Sequence, residues 1–187
     1  MTEAYSSLPM VLSAVIYLLA MTAHAIEWAS ARKPATDREQ VLVGAGGPEV
    51  AAPAENEYRV SLFGRIGVAL TVVGAGSHIA GVVLRGLAAG RWPWGNMYEF
   101  ITSSLAFAVV FYLVLVWRRG WSWLGLPVTL LLSVGQGLAV TVFYVAIAPL
   151  VPALHSVWFI IHIVAAAIAG AAFNVGAIAA ILYLIRD

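Results

Sequence analysis

Five uninterrupted apolar runs, each long enough to cross a bilayer, limit this chain to very few architectures. A spanning helix needs about 20 consecutive apolar residues. Runs of that length begin near Leu8, Leu62, Met97, Leu124 and Val157 and end near Trp28, Leu84, Trp117, Ile147 and Ile185. Inside hydrocarbon every backbone N–H and C=O must be satisfied within the segment, so each run is predicted to be an α-helix. The composition agrees: 62% of the 187 residues are hydrophobic and only 10% are charged, against about 25% charged in soluble domains. The expected fold class is all-α, a polytopic membrane bundle of five helices. Its parts are a first helix over 1–31, a flexible cytoplasmic loop over 32–58 and a four-helix region over 59–187. The loop carries Pro34, Pro48, Pro53, Gly44, Gly46 and Gly47 among its charges, a composition that cannot bury a core.

Charge decides orientation. With the loop after the first helix on the cytoplasmic side, Arg32, Lys33, Arg38, Arg59, Arg65, Arg118, Arg119 and Arg186 lie inside and only Arg85 and Arg91 outside. The positive-inside rule then places the N-terminus outside and the C-terminus inside, in a multi-pass protein of the cell (plasma) membrane. Trp117, Trp121 and Trp123 fit an inner aromatic belt, and Trp92, Trp94, Tyr98 and Trp158 an outer one. A net charge of +1 gives no basic face for nucleic acid. The absence of cysteine excludes disulfides and thiolate metal sites.

Between the second and third runs lies the densest polar and aromatic stretch, Arg91-Trp92-Pro93-Trp94-Gly95-Asn96-Met97-Tyr98-Glu99-Phe100. Asn96 is the expected N-cap of the third helix, with Glu99 at the third helical position as in a capping box. Arg85 and Arg91 are candidates to pair with Glu99, or with an anionic ligand. Trp92 and Trp94 are belt residues or a platform for a flat ligand. The histidines are His24, His78, His155 and His162. His78 and His162 both fall on the order of 9 Å below the outer surface at 1.5 Å per residue, a depth match that a bis-imidazole site would need. His24 is read as a hydrogen-bonded structural histidine. Ser103 and Ser104 have no histidine and acid at catalytic spacing. Glycines at 67, 74 and 81, and the small residues Ala166, Gly170 and Asn174, would allow close helix approach. Gly86 and Gly90 match a helix-dimer spacing but are assigned to a loop.

The stretch at 91–100 resembles the P-x-x-N-x-Y-E segment of the CcsA/CcsB/ResC family of cytochrome c biogenesis proteins. Pro149-Leu-Val-Pro-Ala-Leu-His-Ser-Val-Trp-Phe-Ile-Ile-His-Ile163 resembles that family's V-P-A-L-Q-S-x-W-L-x-x-H-V segment, in the same order along the chain. The resemblance covers roughly residues 60–187. It implies a haem-handling subunit of the system II synthase, which presents haem b as transient cargo on the extracytoplasmic face for attachment to apocytochrome c, beside a membrane partner of the ResB type. It implies an axial iron ligand at His162; His155 stands where the family has Gln and inherits no such role. The family's Trp-rich segment W-G-x-x-W-x-W-D, and the histidine after it, would lie beyond Asp187. The chain is therefore expected to be the N-terminal half of a longer protein that does not catalyse attachment alone. The alternative is a non-catalytic scaffold that binds a ResB-type partner.

Overall fold

The computed structural model describes residues 2–31, 55–150, 152 and 156–186. It is all-helical, in the order α1 (Thr2–Ala31), α2 (Glu55–Ala89), α3 (Met97–Arg119), α4 (Gly125–Thr141) and α5 (Val157–Arg186), with a short 3₁₀ turn at Ser122–Leu124 leading into α4. All five long helices are apolar enough to cross a membrane. Of the loop expected over 32–58, residues 55–58 belong to α2 and residues 32–54 lie outside the described residues, as do His155 and the cations at 32, 33 and 38.

The bundle is organised by a seam between α1 and α2. A Cβ added at Gly67 would lie 2.6 Å from the His24 ring, at Gly74 2.8 Å from Tyr17, and at Gly81 3.0 Å from Met10. Three glycines seven residues apart thus receive three large side chains seven residues apart, in the register of antiparallel helices. The missing side chains let the two backbones approach, and dispersion contacts replace a hydrophobic drive that lipid cannot supply. The rest of the core joins α3 and α4 through Leu105, Val109, Tyr112, Val128 and Leu132, all buried. The other expected stripe behaves differently: a Cβ added at Gly170 on α5 would meet nothing within 4 Å, so no close approach is made there.

Helix ends follow local chemistry. Gly90 takes a φ of +62°, its N–H donates to the Leu87 carbonyl, and the Arg91 N–H donates to that of Gly86. This is a Schellman closure, which only a residue tolerant of positive φ makes without strain. Gly86 therefore belongs to α2, not to a loop. Gly120, with a φ of +67°, closes α3 in a related way. Pro127 sits in the first turn of α4, where a missing N–H costs nothing. α4 was expected to reach Ile147 but stops at Thr141. The following residues run without helix to Leu150, and two of their carbonyls, of Val145 and Ala148, accept hydrogen bonds from Arg85 and Arg91. Those side-chain donors replace the helical partners the segment gives up.

α5 is the least embedded helix. Only 17% of its spanning window is buried, against 33–39% in the other four. It packs chiefly on α3 through a stripe that includes Ala167, Ala171 and Val175.

Candidate functional site

The polar residues singled out near 85–99 come together at one end of the bundle, around a carboxylate. Asn96 caps α3 by accepting the Glu99 N–H at 2.9 Å. Glu99 does not close a full capping box; its Oε2 accepts the Gly95 N–H at 2.8 Å instead. The fully buried carboxylate also accepts from Arg85 Nε at 3.0 Å and from Arg91 Nη1 at 2.7 Å. Arg85 Nη2 donates to the Val145 carbonyl at 2.6 Å, and Arg91 Nη2 to that of Ala148 at 3.1 Å. The Arg85 guanidinium lies 5.2 Å above the Tyr98 ring and 5.9 Å from that of Tyr144, and the two rings meet edge to face at 5.2 Å. One acid thus ties the end of α2, the start of α3 and the 142–150 segment into one unit. The arginines considered as partners for an anionic ligand are already committed to this network.

Arg91 also orders the tryptophans. Its Nη1 donates to the Trp92 carbonyl at 3.1 Å, and the Trp94 N–H donates to the same oxygen at 2.9 Å. Within this tight turn the Trp92 and Trp94 rings stack at 5.4 Å and 11°. Beside them opens a groove of about 990 Å³ between α2, α3 and the start of α5, at the upper end of the range for ligand clefts. Its walls include Val83, Pro93, Trp94, Phe107, Phe159 and Ile160. Both sequence segments that carried the family resemblance therefore face one cavity. The α2 wall was missed at the sequence level, because an apolar helix residue gives no signal of lining a cleft.

His24, His78 and His162 do not line this cavity. His78 is fully buried on the seam with α1, where Nδ1 shares a hydrogen bond with the Tyr17 hydroxyl at 3.2 Å and the rings meet edge-on at 5.8 Å. His162 is exposed on α5 and is not among the residues lining the groove. The structure therefore does not bring His78 and His162 to one iron, and with α2 running on to Ala89 the expected match in their distances from the helix ends is lost as well. His24 is buried and hydrogen-bonded to Glu27 at 2.7 Å, a structural role as read from the sequence. Among the described residues, no three histidines or acids gather as a metal site. Tyr17 was not singled out beforehand, although its seven-residue spacing from His24, matching that of Gly67 and Gly74, carried the signal.

No family model matches the chain, and no solved structure matches it. Two curated relatives do: the cytochrome c biogenesis proteins CcsA of a Picosynechococcus sp. and a Synechococcus sp., each 34% identical, over 104 and 134 residues. The matches cover 54% and 68% of this chain but 31% and 38% of the relatives, so the chain spans about a third of the length of the curated relatives it matches. With five helices able to span a membrane, the chain is thus similar, over the matched stretch, to CcsA-type cytochrome c biogenesis proteins.

Proposed function

We propose that the chain is a membrane-embedded, haem-handling part of a cytochrome c biogenesis system, working on the extracytoplasmic side. One observation carries this reading: residues 91–94 and the start of α5, through Val157, Phe159 and Ile160, line a single apolar groove that includes the stacked indoles. A flat, largely apolar macrocycle is the cargo such walls suit, since stacked indoles offer broad faces at little entropic cost. Haem's carboxylates would meet water at the open rim beside Trp92, which is 64% exposed, because Arg85 and Arg91 are held by Glu99.

In this reading His162 serves as an axial iron ligand; a neutral imidazole is a common one. Its exposed place on α5 directs it to haem held against the outside of the bundle. The rest of such a site comes from further polypeptide, a ResB-type partner or regions present in the longer relatives, and apocytochrome c is the acceptor. Haem b is the expected form of the cargo.

Titrating haem into protein purified in lipid nanodiscs tests this. A Soret band whose axial-ligand signature is lost in His162→Ala is the expected result; no haem absorbance in the parent protein would overturn it. The scaffold reading draws on the exposed outer face of α5, where Trp158 and Phe173 are 79% and 78% exposed. Recovery of a partner membrane subunit without haem would favour it.

A further inference from the structure

We infer that a second cavity, at the end of the bundle away from the tryptophan turn, binds an amine-bearing phospholipid, phosphatidylethanolamine, with its ammonium on Glu27 and its phosphate on Arg65. This goes beyond the haem-handling reading and stands without it. The cavity, of about 790 Å³, is walled by the end of α1, the first turns of α2 and the end of α3. Its size falls within the range of ligand clefts.

Charge is the first argument. Among the described residues, the cavity wall carries an acid and a base, Glu27 and Arg65. Glu27 Oε2 is held by His24 Nδ1 at 2.7 Å. Its Oε1 lies against Gly64, where an added Cβ would sit 2.7 Å away, and Gly64 itself lines the cavity. The glycine thus gives the carboxylate room at the wall, and 12% of the Glu27 side chain stays accessible. Arg65, the next residue along α2, is exposed. Its Nε donates to the Ser61 carbonyl at 3.3 Å, which holds the stem along the rim. The guanidinium carries further N–H donors in a fork that fits a phosphate. An acid and a base on adjoining positions suit a zwitterion whose ammonium and phosphate are joined by an ethylene link. A purely anionic headgroup would instead set its charge beside Glu27, a like-charge cost.

Position in the membrane is the second argument. Trp117 and Trp121, 79% and 38% exposed, flank the end of α3, and exposed indoles settle at the headgroup level of a bilayer. The deeper wall is apolar, with Val60, Val68, Ala69 and Val116. Ala69 is exposed on α2, so an acyl chain can leave the cavity along the outside of the bundle. A ligand at this level arrives sideways from the bilayer, which favours a lipid over a soluble phosphate ester.

Native mass spectrometry of the full chain in detergent, titrated with single lipids, tests this. Phosphatidylethanolamine should bind about tenfold tighter than phosphatidylglycerol or phosphatidylcholine, the worth of one hydrogen bond to a charged group. Phosphatidylcholine is the sharper control, since its ammonium has the same charge but no N–H for Glu27. Glu27→Gln should erase the preference. Arg65→Gln should weaken every lipid about tenfold, whereas Arg118→Gln, which stacks on Trp117 outside the cavity wall, should change nothing. Glycerophosphoethanolamine, the headgroup without its chains, should not displace the lipid. Equal binding of the three lipids by the parent protein would overturn the inference, and that comparison needs no variant should Glu27→Gln fail to fold. A preference that survives Glu27→Gln, an Arg118→Gln loss equal to that of Arg65→Gln, or displacement by the soluble headgroup would overturn it as well.

Discussion

Arg91 Nη1 and Glu99 Oε2 lie 2.7 Å apart, and through this pair one buried carboxylate fixes both the tryptophan turn and the segment after α4. The same guanidinium reaches the Trp92 and Ala148 carbonyls. Removing the acid leaves the buried Arg85 and the partly buried Arg91 beside each other with no counter-charge. Glu99→Gln should therefore lower stability by about 3–5 kcal/mol, the range for breaking a buried pair from one side. Gly95→Ala should act in the same direction, because its Cβ would lie 2.7 Å from both Arg91 Nη atoms. Thermal unfolding in detergent measures both, and a Glu99→Gln protein as stable as the parent would refute this role.

The α1–α2 seam predicts a contrast between glycines. Gly67→Ala should cost about 1–3 kcal/mol through overpacking against the His24 ring. Gly170→Ala, with open space around it, should be neutral or slightly stabilising, since alanine is the better helix former by about 1 kcal/mol. Equal effects in a denaturant titration would show that α2 does not approach α1 as described.

The Tyr17–His78 contact is an interhelical hydrogen bond within the membrane span. A double-mutant cycle with Tyr17→Phe and His78→Leu should give a coupling of about 0.6 kcal/mol, and not above about 1.7. Strict additivity would mean that the two rings merely pack.

Asn96→Ala should cost about 1 kcal/mol and raise hydrogen exchange at residues 97–100, whose first turn it caps. Unchanged exchange there would mean that Glu99 and its arginines hold the turn without the cap.

Orientation can be read by labelling, because the chain has no cysteine. A cysteine placed by Trp92→Cys or Trp158→Cys should react with a membrane-impermeant maleimide from outside intact cells. Trp117→Cys, near Arg118 and Arg119, should react only after the membrane is opened. The reverse pattern would overturn the assignment made from the arginines and lysine.

Much of this protein is written in one dimension. The five runs and the cap at Asn96 depend on residues within a few positions of one another, so composition and spacing suffice to locate them, whereas the stop at Gly90 was placed too early, near Leu84. One half of the α1–α2 seam, the glycines at 67, 74 and 81, was legible too; the side chains of α1 that fill it, Met10, Tyr17 and His24, were found only in the structure. Rotation of a helix about its axis is different. A step of about 100° per residue means that depth, the quantity sequence gives best, leaves facing undetermined. His78 and His162 were matched by expected depth, yet packing turns one into the α1 seam and leaves the other exposed on α5. Likewise the arginines had two possible partners on paper, an anionic ligand or Glu99. The structure sets both against Glu99, a carboxylate desolvated at the head of α3. Where α4 ends was decided in the same place: the Val145 and Ala148 carbonyls bond to those arginines, which come from the other side of the fold.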